Sequence, residues 1–280
     1  MTYCVAMRLN AGLVFLSDSR TNAGLDQIST FRKMVVFEQE GDRVMVLMAA
    51  GNLAITQAAR QLLQTETIEG KDGPVSLWTC TSMFDAARIV GAAVRRVHDR
   101  DAKALAEHDI DFNISLIFGG QIKGEEMRLF QIYSAGNFIE ADPGGVCYFQ
   151  IGESKYGKPI IDRVVTQDTP LDEAAKCALV SMDSTLKSNL SVGLPLDLLI
   201  YEAESLHADK IIHIDENNSY FRMIRSSWGK RLKDVFESIP DPSWTDNKLD
   251  YAAPQPAGQQ AFSSAPTQLG PIRKVQAPQG

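Results

Sequence analysis

Ala11-Gly12-Leu13-Val14-Phe15-Leu16-Ser17-Asp18-Ser19-Arg20-Thr21-Asn22-Ala23-Gly24 contains an apolar run that begins at a glycine turn and stops at an aspartate. Residues 3–9, just before it, are also largely apolar. Asn10-Ala11-Gly12 lies between the two runs, and asparagine and glycine accept the positive φ that tight hairpins need. Two paired strands are therefore predicted over 3–9 and 13–18, with Thr2, Cys4 and Ala6 on one strand face. Lys33 follows a short loop later, in an isolated Phe31-Arg32-Lys33.

Once Met1 is removed, Thr2 becomes a first residue with a free α-amino group. A threonine hydroxyl alone is a poor nucleophile. An N-terminal threonine carries its own base, because the α-amino group titrates at about 7.7–8.0. A lysine ammonium nearby disfavours protonation of that amine and stabilises negative charge developing on the hydroxyl oxygen. Lys33 suits that role. Asp18 would then keep the lysine charged and hold its stem in place, without moving a proton itself. The same residues also fit a plainer reading, in which Asp-Ser-Arg after a strand is turn chemistry.

The wording of the segment favours catalysis. The nucleophilic threonine, glycine turn, apolar strand and Asp18-Ser19-Arg20 resemble the start of proteasome-type N-terminal-nucleophile hydrolases, and Lys33 stands where that family keeps its active-site lysine. Met48-Ala49-Ala50-Gly51-Asn52 resembles the strand-to-helix turn whose glycine N–H forms the family's oxyanion hole. Met1-Thr2-Tyr3-Cys4-Val5-Ala6-Met7, Ser181-Met182-Asp183-Ser184-Thr185 and Ser188-Asn189-Leu190-Ser191-Val192-Gly193 are most similar to the branch called Anbu, the bacterial ancestral-type β-subunit related to HslV. The likeness spans about residues 2–240. It implies Thr2, Asp18 and Lys33 as catalytic residues and Gly51 as the oxyanion donor, with no cofactor or metal. Where the wider family pairs an aspartate with a serine, this chain offers Ser188 and Ser191. The family's Gly-Ser-Gly turn is here Gly152-Glu153-Ser154-Lys155, with Ser154 the candidate equivalent. Rate and substrate class are therefore more open than reaction type.

Length and composition suit an enzyme with one large core: 280 residues, 44% of them hydrophobic. A net charge of −7 argues against nucleic acid or an anionic membrane as a partner. No run reaches the roughly 20 apolar residues of a membrane span. Cys4, Cys80, Cys147 and Cys177 lack C-x-x-C spacing and read as reduced thiols, which places the protein in the cytoplasm. His98, His108, His207 and His213 lack metal-ligand spacing.

Further strands are predicted at 43–50, 110–118, 127–134, 146–151, 196–202, 210–215 and 219–224. Helices are predicted over 53–63, 82–100 and from a Thr169 cap with Pro170 inside the first turn to about 187. A last amphipathic helix gathers Trp228, Leu232, Val235, Phe236 and Ile239. Strands, two helices, strands, two helices, strands and helix suit an α+β fold, a four-layer αββα sandwich of two stacked antiparallel sheets with helices outside. Residues 1–240 make the hydrolase domain. Residues 241–280 read as a disordered Pro/Gln/Ala-rich tail, since seven of the twelve prolines lie from Pro240 onward; Trp244 and Tyr251 are its only candidate anchors.

The expected activity is amide-bond cleavage in a peptide or protein substrate through an ester on Thr2. A small-molecule amidase on the same fold, and an assembly protein with little turnover, are the alternatives. The resemblance implies self-association into a large homo-oligomer, an open spiral more than a closed ring, through the helix at 82–100 and the helix from Pro170. It leaves any unfoldase partner unnamed.

Overall fold

The computed structural model describes residues 2–22, 28–70, 73–142, 144–245 and 248–250. The chain begins with β1 (Tyr3–Leu9), β2 (Gly12–Asp18), β3 (Arg20–Asn22), β4 (Ile28–Thr30), β5 (Met34–Gln39) and β6 (Arg43–Gly51). It continues through α1 (Leu53–Thr65), β7 (Ile68–Gly70), β8 (Gly73–Val75) and α2 (Met83–Glu107) to β9 (Ile114–Ile122), β10 (Arg128–Ile132), β11 (Phe138–Glu140) and β12 (Tyr148–Gly152). Then come α3 (Lys158–Val164), α4 (Leu171–Ser188), β13 (Leu196–Glu202), β14 (Lys210–Ile214), α5 (Ser219–Ser238), β15 (Ser243–Thr245) and β16 (Lys248–Asp250). The chain divides into two compact units, Met1–Leu232 and Lys233–Gly280. In the second, β15 and β16 pair as an antiparallel hairpin, so the segment after Pro240 opens on a short ladder. Tyr251 and the rest of the expected tail lie outside the described residues.

The first unit holds two five-stranded antiparallel sheets, in the orders β12-β1-β2-β13-β14 and β11-β10-β9-β6-β5. Strand alternation sorts their side chains into three cores. Cys4, Ala6, Leu13 and Phe15 of the first sheet meet Val44, Val46, Met48, Ile117 and Leu129 of the second. On the opposite face of β1 and β2, Tyr3, Val5, Met7, Val14 and Leu16 pack with Ala174, Ala178 and Met182 of α4. On the outer face of the second sheet, Met45, Leu47, Phe118 and Phe130 pack with Ile55 and Ala59 of α1 and Val90 and Val94 of α2. Helix, sheet, sheet and helix are thus the four expected layers. No helix among the described residues is long and apolar enough to cross a membrane.

Several expectations fail locally. Residues 219–224 are the first turns of α5, because Asn218 caps it: its Oδ1 accepts the Phe221 N–H at 2.9 Å and its carbonyl the Arg222 N–H at 3.0 Å. Phe221 and Ile224 are buried at helical spacing. Gly119 and Gly120 lie inside β9, which begins at Ile114 and not near 110. A Cβ on Gly120 would sit 2.0 Å from the Val44 carbonyl oxygen, so these glycines serve close strand packing. Gly12 likewise lies against the Tyr201 carbonyl, 2.0 Å from where its Cβ would be, while Asn10 and Ala11 turn without positive φ. Thr169 is not the α4 cap. Pro170 occupies that position, and the Thr169 hydroxyl accepts the Thr166 N–H at 2.9 Å. Strands β5 and β11 and the short strands β3, β4, β7, β8, β15 and β16 have no predicted counterpart, and α3 is the helix of the second predicted pair to which no residues were assigned.

Candidate active site

The hairpin places Thr2 beside the end of β2. Pairing runs Cys4 to Ser17 and Leu9 to Gly12. The backbone N–H of Tyr3, the residue after Thr2, donates to Asp18 Oδ1 at 3.0 Å. The other carboxylate oxygen, Asp18 Oδ2, is 3.1 Å from Lys33 Nζ, and Lys33 also donates to the Arg20 carbonyl at 2.6 Å. Asp18 is fully buried and the Lys33 side chain is 8% exposed. Burial pushes the Asp18 carboxyl up, while the Lys33 ammonium and the Tyr3 and Gly193 N–H groups pull it back. One carboxylate thus links the lysine to the backbone that presents Thr2.

Thr2, Lys33 and Gly51 line one cleft of 530 Å³, at the end of the sandwich where β1 begins and β6 ends. Gly51 closes β6 with φ +109°, and a Cβ there would fall 2.3 Å from the Asn113 carbonyl oxygen. Only glycine fits that turn. Asn52 follows as the α1 cap, accepting from Ala54 N at 3.0 Å, so the turn leads directly into the helix. Leu53, Thr56, Gln57 and Arg60 then present one stripe of α1 to the cleft, at helical spacing. Cys4 lies just behind, fully buried, with its thiol pKa pushed up by burial. Met1 lies outside the described residues.

The predicted supporting serines are arranged differently. Ser154, Ser188 and Ser191 are absent from the cleft lining. Ser154 donates its N–H to the Gly152 carbonyl at 3.0 Å. Ser188 is exposed at the end of α4. Ser191 donates its N–H to Asn189 Oδ1 at 2.9 Å. The side-chain-bearing residue that bonds Thr2 in this region is Glu153, whose N–H donates to the Thr2 carbonyl at 2.7 Å. Its carboxylate is 8% exposed, accepts from Asn189 Nδ2 at 2.8 Å and pairs with Lys155 at 3.3 Å. Sequence reading passed over it because the serine in Gly152-Glu153-Ser154-Lys155 drew the comparison. The signal was the acidic residue directly after Gly152, the glycine whose added Cβ would fall 1.9 Å from the Thr2 carbonyl oxygen.

The fold is shared with solved proteins. Anbu, the ancestral β-subunit of Yersinia bercovieri, is 55% identical, over 85% of this chain and 98% of its own, with a TM-score of 0.78. Anbu of Hyphomicrobium sp. strain MC1 is 48% identical, over 86% and 99%, with a TM-score of 0.78. The Anbu of a helical assembly from Pseudomonas aeruginosa is 49% identical, over 86% and 98%, with a TM-score of 0.80. No family model matches the chain, and no curated protein matches it significantly. With two stacked antiparallel sheets between helices, and identity near one half across almost the whole length of these structures, the chain belongs to the Anbu family of proteasome-type, N-terminal-nucleophile folds.

Proposed function

We propose that this protein is an N-terminal threonine hydrolase that cleaves amide bonds of peptides through an acyl ester on Thr2, after Met1 is removed. The observation that carries the reading is the buried Asp18 carboxylate, which accepts the Tyr3 N–H on one oxygen and pairs with Lys33 on the other. That arrangement holds a cation beside the start of β1, where a free α-amine would stand.

The neutral Thr2 amine takes the hydroxyl proton as the oxygen attacks the substrate carbonyl carbon. The Lys33 ammonium favours the neutral amine and the developing alkoxide. The Gly51 N–H receives the oxyanion. Collapse breaks the C–N bond, and the amine's proton goes to the leaving nitrogen, giving the ester. Water, deprotonated by the same amine, hydrolyses the ester and restores Thr2. The step needs no metal and no organic cofactor.

The helical assembly of the Pseudomonas aeruginosa protein supports a second part of the proposal, self-association of identical subunits into a large homo-oligomer of the spiral kind. A site at an open chain end is thereby kept from bulk protein. Cytoplasmic location accords with four buried free cysteines. Hydrolysis of a fluorogenic peptide library by wild type and by Thr2→Ala tests the reaction. Wild type is expected to release fluorophore and Thr2→Ala to lose it with unchanged circular dichroism; equal turnover by the two proteins would place the chemistry elsewhere.

A further inference from the structure

The cleft beside Thr2 carries charge of one sign. Among the described residues its lining includes Arg20, Arg32, Lys33 and Arg60 and no carboxylate, in a chain whose net charge is −7. These four cations are not equivalent. Lys33 is committed to Asp18 and to the Arg20 carbonyl. Arg20 donates to the Leu190 carbonyl at 3.2 Å, and its guanidinium lies against Gly193, where a Cβ would come within 2.0 Å of Nε. Arg32 and Arg60 have neither an ion pair nor a hydrogen bond to any described residue.

Arg60 is the more telling of the two. It sits on the α1 stripe formed with Leu53, Thr56 and Gln57, half-buried in the cleft wall, while Ile55, Ala59 and Leu63 on the other side of the helix fill the core. A half-buried guanidinium is ordinarily matched by an acceptor, because desolvation without one is unfavourable. Burial without a countercharge pulls its pKa down. Arg32 is exposed at the same cleft, two residues before the strand β5 and next to Lys33. The planar fork of a guanidinium is suited to taking a carboxylate on two N–H groups.

We propose that this cleft selects substrates with an acidic side chain, Asp or Glu, on the acyl side of the scissile bond, and that Arg60, with Arg32 beside it, receives that carboxylate. The selectivity rests on the reading of Thr2 as nucleophile, but its binding half does not require turnover. An acidic side chain supplies the acceptor that the described residues do not, and uncharged or basic side chains leave Arg60 unmatched. Because the groups are partly open to solvent, the preference weakens as salt rises.

The test is isothermal titration of N-acetylated, C-amidated tetrapeptides that differ only at one residue, Glu, Gln or Lys, into the Thr2→Ala protein. The Glu peptide is expected to bind at least about fivefold more tightly than the Gln peptide and the Lys peptide least. Arg60→Gln is expected to bring the Glu and Gln peptides within about twofold of each other, and Arg32→Gln to narrow the gap partly. Arg88→Gln removes the same charge from α2, outside the cleft, and is expected to leave the ratio in place. Equal binding of the Glu and Gln peptides to the Thr2→Ala protein would overturn the proposal, as would a Glu preference that survives in Arg60→Gln. The comparison of the Glu and Gln peptides on the Thr2→Ala protein needs no folded Arg60 variant. A failure of the hydrolysis reading would appear instead as equal turnover by wild type and Thr2→Ala, with the binding ratio unaffected.

Discussion

Lys33 Nζ and Asp18 Oδ2 stand 3.1 Å apart with both side chains almost wholly buried, so removing either leaves the other without its match. Lys33→Ala is expected to slow acylation of Thr2 about a hundredfold, the scale of losing one preorganised electrostatic group. Asp18→Asn keeps an acceptor for the Tyr3 N–H but frees the lysine, and is expected to be slower than wild type, with less loss than Lys33→Ala. A stopped-flow acylation rate equal to wild type in both would make the pair structural. Lys33→Ala also carries a pH signature. Burial raises the Asp18 carboxyl, and without Lys33 the folded state binds its proton more readily than the unfolded chain does. Stability is then greatest at acid pH and falls as pH rises above the ordinary carboxylate value of about 3.9. Thermal midpoints of Lys33→Ala are expected to drop from pH 5 to pH 8 relative to wild type; a parallel pair of curves would deny the assignment. Glu153→Gln tests the residue that the sequence did not disclose. It keeps the shape and the backbone contact to the Thr2 carbonyl but removes a buried charge, and is expected to shift the pH profile of acylation more than to change the fold. The grouping of Thr2, Lys33 and Gly51 at one cleft, with Asp18 paired to Lys33, was legible because each sits in a short motif. Glu153 was not, because its meaning depends on Asn189, which is 36 residues away and reaches it from the end of α4.

Elements were legible in proportion to how well one period explains them. The hairpin β1–β2 alternates cleanly, and α2 repeats its buried residues Met83, Ala86, Ala87, Val90, Ala93, Val94 and Val97 on one side. Helix α5 was split, since Tyr220-Phe221-Arg222-Met223-Ile224 alternates over so few residues that a strand and a first helical turn look alike. The cap at Asn218 decided the outcome. Strand β5 was missed because Met34-Val35-Val36-Phe37 is a continuous apolar run too short to show a period of two. Close backbone approach is invisible in sequence until its partner is known, and Gly91 is the clearest instance. In α2, a Cβ on Gly91 would lie 2.2 Å from the Gly136 carbonyl oxygen, and one on Gly136 would lie 2.3 Å from that of Gly91. Alanine at a helix interior ordinarily gains about 1 kcal/mol over glycine. Here a contact with fixed backbone outweighs it, at about 1–3 kcal/mol of overpacking. Gly91→Ala is expected to lower the melting midpoint by several degrees. A midpoint that rises would show that α2 and the turn holding Gly136 can part without cost.

For the molecule as a whole, the two stacked sheets fix the cleft, and the proposed self-association needs a surface that neighbouring copies can cover. The sequence pointed to the helices at 82–100 and from Pro170 as contact surfaces. Large apolar side chains are also exposed on α5, at Tyr220, Met223, Leu232, Val235 and Phe236, with Phe84 on α2 and none on α4 among the described residues. Those side chains are 45–74% exposed in the single chain, which is the pattern expected of a surface covered by a neighbour. Light scattering is expected to give a mass many times the 30.8 kDa of one chain, reduced by Leu232→Glu with Phe236→Glu. A monomer with full activity at every working concentration would separate activity from assembly. The central claim is that Thr2, freed of Met1, is the nucleophile, and its most direct measurement is the intact mass of the protein after exposure to a peptide epoxyketone. That reagent needs both the hydroxyl and the free amine of an N-terminal threonine. The expected product is a chain without Met1 that gains one inhibitor mass, located at Thr2 by peptide mapping and lost in Thr2→Ala. A chain that retains Met1 and hydrolyses peptides at full rate without gaining that mass would contradict the claim.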